Sequence, residues 1–245
     1  MSEYVFGRNA VLELLESGKI ETLFVQKGDL KGSIEKIIGK AKANKIVIKQ
    51  VDKNKLDNLS GGMSHQGVVG VALEYEYFEV DDLLQDAYDK NQDPFIIILD
   101  EIEDPHNLGA IIRTSEVAGA NGIIIPKRRS ATVNSVVHKS SAGATNHMKV
   151  AKVTNISQTI EYLKSKNVFV YAADGEAKDY YNKTDLTGAV ALVIGNEGKG
   201  ISRLVKEKCD LLIKIPMYGK IGSLNASNAA AIIIYEVVRQ RDEKK

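Results

Sequence analysis

Two short apolar runs separated by a helix-length segment constrain this chain more than any other feature. Residues 190–194 (VALVI) stop at Gly195, and residues 211–215 (LLIKI) stop at Pro216. β-Branched runs of this length, bounded by Gly and Pro, read as buried parallel strands whose carboxyl ends open into loops. Residues 95–99, 122–125, 149–153 and 168–172 read the same way, with helix-like stretches between most of them. This alternation predicts a mostly parallel α/β sheet covered on both faces, spanning residues 94–245. Ligands of such sheets sit beyond the carboxyl ends of the strands. The two loops there, 195–200 (GNEGKG) and 217–225 (MYGKIGSLN), contain five glycines and little bulk. Glycine lets backbone groups approach a flat ligand closely.

The common phosphate fingerprints do not fit these loops. A P-loop needs Gly-Lys followed by Ser or Thr, whereas Lys199 precedes Gly200. The dinucleotide pattern G-x-G-x-x-G is also absent, because the order here is G-x-x-G-x-G.

Residues 1–73 form a second, smaller α/β pattern: helix over 9–15, strand 22–25, helix 33–43, and strands 46–48 and 68–73. Between the two patterns lies residues 74–93, whose apolar positions Val80, Leu83, Leu84 and Ala87 mark an embedded helix. The plain reading of this stretch is a solvated acidic linker.

The net charge of +1 hides an uneven distribution. Residues 1–73 hold 11 Lys/Arg against 8 Asp/Glu, residues 74–93 hold 1 against 8, and residues 94–245 hold 21 against 16. Two basic lobes are thus masked by one acidic segment, which leaves a nucleic-acid partner open. No run approaches the length of a membrane span. The first residues carry Glu3, Glu13 and Glu16 and lack the apolar core of a signal peptide. The lone Cys209 fits a reducing compartment, so the expected location is the cytoplasm. The four histidines are too scattered to imply a metal site.

Several residues admit two readings. Asn107 is placed as a helix N-cap. Arg113 is either a surface partner of Glu116 or a guanidinium lying over Gly109 and Ala110, free to fork onto a phosphate. Lys127-Arg128-Arg129 follows a strand, as a phosphate clamp or as solvated surface. The loop 60–67 is either an ordinary turn with a capping histidine or a recognition loop. The last helix, 226–239, is apolar nearly all round and is expected to be covered on more than one side.

Three stretches, in order, carry a family resemblance. They are Asn107-Leu-Gly-Ala-Ile-Ile-Arg113-Thr114, the glycine loop at 195–200 and the loop at 217–225. They resemble the signature motifs of the SpoU/TrmH branch of the SPOUT RNA methyltransferases. Phe6-Gly-Arg-Asn-Ala-Val11 and His65-Gln-Gly-Val-Val69 extend the resemblance to the RlmB-type 23S rRNA guanosine 2′-O-methyltransferases. The resemblance implies a small RNA-binding amino-terminal domain and a catalytic domain with a trefoil knot, a feature too rare to reach by pattern. It implies S-adenosylmethionine (SAM) as cofactor, received by backbone groups around Gly195, Ile215, Met217 and Leu224. Asn107, Arg113, Glu197, Ser223 and Asn225 are the catalytic-site residues by the same match. The implied substrate is 23S rRNA and the implied assembly a homodimer.

Overall fold

The strands sort into two separate sheets. The computed structural model describes residues 3–28 and 32–244, and the chain divides into two units, Met1–Tyr75 and Glu76–Lys245. The first unit contains strands β1 (Glu3–Phe6), β2 (Ile20–Gln26), β3 (Val47–Val51) and β4 (Val68–Ala72), with helices α1 (Arg8–Glu16), α2 (Ser33–Ala43) and α3 (Lys53–Leu59). Its sheet has the order β1-β4-β2-β3. Strand β4 is antiparallel to both neighbours, and β2 is parallel to β3. Val11, Leu14 and Leu15 of α1 and Ile34, Ile37 and Ala41 of α2 lie three and four positions apart, so each set makes one face. Both faces bury against Leu23, Val25 and Val68.

The second unit contains α4 (Val80–Asp89), β5 (Phe95–Asp100), α5 (Pro105–Val117), β6 (Gly122–Pro126), α6 (Ser135–Ser140), β7 (Val150–Val153), α7 (Ile156–Ser165) and β8 (Phe169–Ala173). It continues with β9 (Asp179–Tyr180), β10 (Val190–Gly195), α8 (Arg203–Lys208), β11 (Leu211–Lys214) and α9 (Ala226–Glu243). The seven strands are all parallel, in the order β7-β6-β5-β10-β8-β11-β9. Both faces are covered, which is why β5 is buried at every position. Strand β10 inserts between β5 and β8, and its Gly195 stands in register with Asp100 of β5. The chain leaves β5 toward β6 and β7 on one side and returns through β10 on the other. That reversal puts the topological switch point, where ligands of open α/β sheets sit, at the paired carboxyl ends of β5 and β10.

The expectation of a solvated linker over 74–93 is corrected. Leu83, Leu84 and Ala87 of α4 are buried, and the first two join a core cluster with Ile96, Ile124 and Val170. A methyl group on Gly122 would fall 2.2 Å from Leu83 Cγ, so the helix rests directly on β6. Asp86 accepts hydrogen bonds from Lys90 and from Asn121 Nδ2, while Asn121 Oδ1 accepts from the Phe95 amide. Burial alone would raise the Asp86 pKa, but the hydrogen bonds from Lys90, Asn121 and Lys149 outweigh it and hold the carboxyl below its ordinary range. The acidic side chains of α4 face outward or find such partners, so the segment's charge described its surface and not its place in the fold.

Candidate active site

Helix α5 begins with Asp104, whose Oδ1 accepts from the His106 amide, followed by Pro105 at the first helical position. This replaces the expected cap at Asn107, because Pro has no amide to cap and presets the helical φ. Asn107 sits inside the first turn, buried to 7% exposure, with its side chain free for other work.

That work is done with Glu197 and Asn225. Asn107 Nδ2 donates to Glu197 Oε1 at 2.7 Å, and Asn225 Nδ2 donates both to Asn107 Oδ1 at 2.9 Å and to Glu197 Oε1 at 2.5 Å. The Ala226 amide adds a third bond to Glu197 Oε1 at 3.2 Å. Asn225 at the same time caps α9, its Oδ1 accepting from the Ser227 and Asn228 amides. One carboxylate therefore joins the starts of α5 and α9, where the helix dipoles favour negative charge. Residues 107, 197 and 225, far apart in sequence, meet in one network.

The glycine loop closes on itself. The Asn196 amide donates to Gly200 O at 3.1 Å, and the Gly200 amide donates back to Asn196 O at 2.8 Å. Asn196 Oδ1 accepts from the amides of Gly198 and Lys199, and its Nδ2 donates to Glu101 O at 3.0 Å. A Cβ on Gly195 would lie 2.4 Å from Gly200 C and 2.5 Å from Ile201 N. The missing side chain at Gly195 thus makes room for the loop's own backbone, which revises the idea that it makes room for a ligand. Buried Asp100 completes the support, its Oδ2 accepting from the Ser202 amide at 2.7 Å. Sequence reasoning missed Asn196 and Asp100. An Asn between glycines is a turn signal that could have revealed the first; a carboxylate ending a buried strand could have revealed the second.

The second loop is differently made. Among the described residues, the backbone groups of residues 216–223 have no hydrogen-bond partner. Ile215 and Leu224 are half-buried, and Met217 and Ser223 are exposed. Tyr218 is 94% and Ile221 79% exposed. The loop presents unsatisfied amides and carbonyls beside apolar side chains, which suits a flat, partly polar ligand.

Arg113 does not join the network. It is exposed, and among the described residues no carboxylate, Glu116 included, pairs with it. Six positions beyond Asn107, it lies roughly 9 Å along α5 and about 120° round it. Gly109 lets α6 approach this helix, since a Cβ there would lie 1.9 Å from Ser140 Oγ. In the basic triplet Arg129 pairs with Glu101 at 3.1 Å, while Lys127 and Arg128 are exposed. Burial, aided by nearby Asp210, pushes the Cys209 thiol up to about 12. Among the described residues no group of three His, Cys, Asp or Glu could hold a metal ion.

Residues 94–235 match the family model described as the SpoU rRNA Methylase family. The chain belongs to this SpoU family. Residues 4–78 match a second model, described as RNA 2′-O ribose methyltransferase substrate binding. The SpoU chain is 48% identical, over 98% of its length and 96% of the relative's, to YacO of Bacillus subtilis (strain 168), which is assigned to the TrmH family of tRNA/rRNA methyltransferases. It shares its fold with the SpoU methyltransferase AviRb from Streptomyces viridochromogenes, solved with AdoMet, at a TM-score of 0.72 and 24% identity over 98% of this chain and 91% of that one. An rRNA methyltransferase from Sinorhizobium meliloti is similar at a TM-score of 0.69 and 26% identity, over 97% and 87% of the two chains. The network of Asn107, Glu197 and Asn225 brings together, in space, the three sequence stretches that carry the resemblance. No helix among the described residues is long and apolar enough to cross a membrane.

Proposed function

We propose that the protein is a SAM-dependent RNA 2′-O-ribose methyltransferase that modifies a guanosine of 23S rRNA in the cytoplasm and works as a homodimer. The observation that carries this reading is the convergence of Asn107, Glu197 and Asn225 in one hydrogen-bonded network beyond the carboxyl ends of β5 and β10. An AdoMet-bound form of the Sinorhizobium meliloti enzyme, 26% identical over 97% of this chain, supports the cofactor. The residues present fit SAM. Free backbone groups over 216–223 can meet the polar edge of adenine and the amino-acid end, and Ile215, Met217 and Leu224 offer apolar contact. Gly195 contributes through the closed shape of its loop.

SAM supplies an activated methyl group on a sulfonium, and the protein's task is to hold the ribose oxygen in line with it. Glu197 fixes the loops, and Ser223 and Asn225 bound the place where the ribose enters. A guanidinium offers N–H donors and no acceptor, so Arg113 is not the base. Arg113 anchors an RNA phosphate and stabilises charge developing on the 2′-oxygen. The hydroxyl proton passes to a phosphate oxygen of the RNA or to water. Because Arg113 points away from the Asn107 side of α5, it serves the site of a second copy.

The rRNA assignment draws on the first unit. The Sinorhizobium meliloti rRNA enzyme aligns with 97% of this chain, whereas the TrmH/SpoU tRNA modifying enzyme of A. aeolicus aligns with 62%. Methyl transfer from labelled SAM to purified 23S rRNA and to bulk tRNA tests the reading. Label on a 23S ribose is expected; label in tRNA alone would move the substrate. Mixing Arg113→Ala subunits with subunits disabled at Gly195 tests the assembly, since a composite site regains activity in heterodimers and a site within one chain does not.

A further inference from the structure

The step from β5 to α5 holds the glycine loop at both of its ends. Asp100, the last residue of β5, accepts through Oδ2 from the Ser202 amide just beyond the loop. The next residue, Glu101, accepts from Asn196 Nδ2 at the loop's start, and it does so with its main-chain oxygen at 3.0 Å. Asn196 is thereby turned so that its Oδ1 meets the amides of Gly198 and Lys199 at 2.9 and 3.2 Å. Glu101 reaches this arrangement with a left-handed backbone, at φ 57°. The turn ends β5 at Asp100 and leaves the following carbonyl for Asn196. Residues with a Cβ enter that region at a cost, and for a β-branched residue it is an outlier.

The turn is supported from its other side by the loop that follows β6. Ile102 O accepts from the Ala131 amide at 2.8 Å, and Ser130 Oγ donates to the same oxygen at 3.4 Å. Arg129, itself left-handed at φ 54°, donates from Nη1 to Glu101 Oε1 at 3.1 Å. The two links of Glu101 are unequal. The arginine of its ion pair is 73% exposed, and pairs of that kind contribute little. Its carbonyl serves the carboxamide of half-buried Asn196, where an unmade hydrogen bond is costly. Backbone conformation, and not the carboxylate, is therefore what position 101 supplies.

We infer that Glu101 is a positioning residue for SAM: its left-handed main chain anchors Asn196 and so sets the shape of the glycine loop that receives the cofactor, while its side chain is dispensable. The inference rests on the reading of the protein as a SAM-dependent methyltransferase.

Variants of the full-length protein separate backbone from side chain. Glu101→Gly removes the carboxylate and its pair with Arg129 but enters the left-handed region freely, so it should bind SAM as the wild type does. Glu101→Val drives the chain out of that region, and SAM affinity by calorimetry should fall roughly 5- to 30-fold, the equivalent of one left-handed residue's cost. In turnover the KM for SAM should rise with Glu101→Val, while kcat at saturating SAM and the KM for RNA stay unchanged. A general loss of folding would instead lower kcat and leave both KM values alone. Should Glu101→Val not fold, Glu101→Ala makes the same comparison against Glu101→Gly. Hydrogen exchange at the Gly198 amide, capped by Asn196, should quicken in Glu101→Val and not in Glu101→Gly. Wild-type SAM affinity in Glu101→Val would overturn the inference. An equal loss in Glu101→Gly and Glu101→Val would also overturn it, by returning the role to the carboxylate. Failure of the wild-type protein to bind SAM, with the Gly198 amide still opened in Glu101→Val alone, would remove the cofactor reading and leave the anchoring of the loop supported.

Discussion

Replacing Gly195 with alanine should open the glycine loop and weaken SAM binding, while the same change at Gly198, three residues on, should do little. At Gly195 the new methyl would sit 2.4–2.6 Å from the backbone of Gly200 and Ile201, and ordinary contact begins near 3.4 Å. The two sides of the loop must therefore part by about 1 Å. The paired bonds between Asn196 and Gly200, at 3.1 and 2.8 Å, cannot survive that displacement. Each is worth roughly 0.5–1.5 kcal/mol net, so about 1–3 kcal/mol is lost. If the closed loop is the form that binds, SAM affinity falls roughly 5- to 150-fold. At Gly198 the nearest atom to a new methyl is Asn196 Oδ1 at 3.6 Å, an ordinary contact, and its φ is not in the left-handed region. Calorimetry with SAM measures both variants, and hydrogen exchange at the Gly200 amide reports loop closure. Wild-type affinity with a protected Gly200 amide in Gly195→Ala, or an equal loss in Gly198→Ala, would refute the argument.

Three further outcomes follow from the packing. Glu197→Ala and Asn107→Ala should be non-additive in a double-mutant cycle on SAM affinity, with a coupling of about 1–3 kcal/mol, because they share one hydrogen-bonded network; additivity within about 0.5 kcal/mol would dissolve the network. Leu83→Ala should destabilise the second unit by about 2–5 kcal/mol in urea unfolding, as for a fully buried leucine, whereas a true linker residue would change the midpoint hardly at all. Asp86, whose pKa is lowered on folding, contributes stability that is complete above the unfolded carboxylate value of about 3.9 and is lost as pH falls through the lower folded value. The stability gap between wild type and Asp86→Asn should thus be steady near neutrality and shrink below about pH 4. A gap that widens with acid would mean the partners of Asp86 have been misassigned.

The sequence made six of the second sheet's seven strands legible because the central ones are buried on both faces and read as apolar, β-branched runs, whereas the exposed two-residue β9 carries no such run. Strand β1 and helix α3 escaped for the opposite reason. The first is four residues long, and the second buries only Leu56, so neither has a period to detect. Segment 74–93 misled because charge reports on the outward face of a helix, while Leu83 and Leu84 report on the inward one. At the candidate site the residue types were legible and their partners were not. Asn107 reads as a cap in one dimension; only the fold brings it to a glutamate 90 positions away. The order of β5, β10 and β8 was likewise invisible, since adjacency in a parallel sheet leaves no mark in the strands themselves.

The claim that this chain methylates a 23S rRNA ribose is tested most directly by mapping 2′-O-methylated nucleotides in total RNA from a strain lacking the gene and from the same strain complemented with wild-type or Arg113→Ala protein. The account predicts that a single 23S guanosine mark disappears, returns with the wild-type protein and stays absent with Arg113→Ala. Loss of a tRNA mark with every 23S mark intact would contradict it.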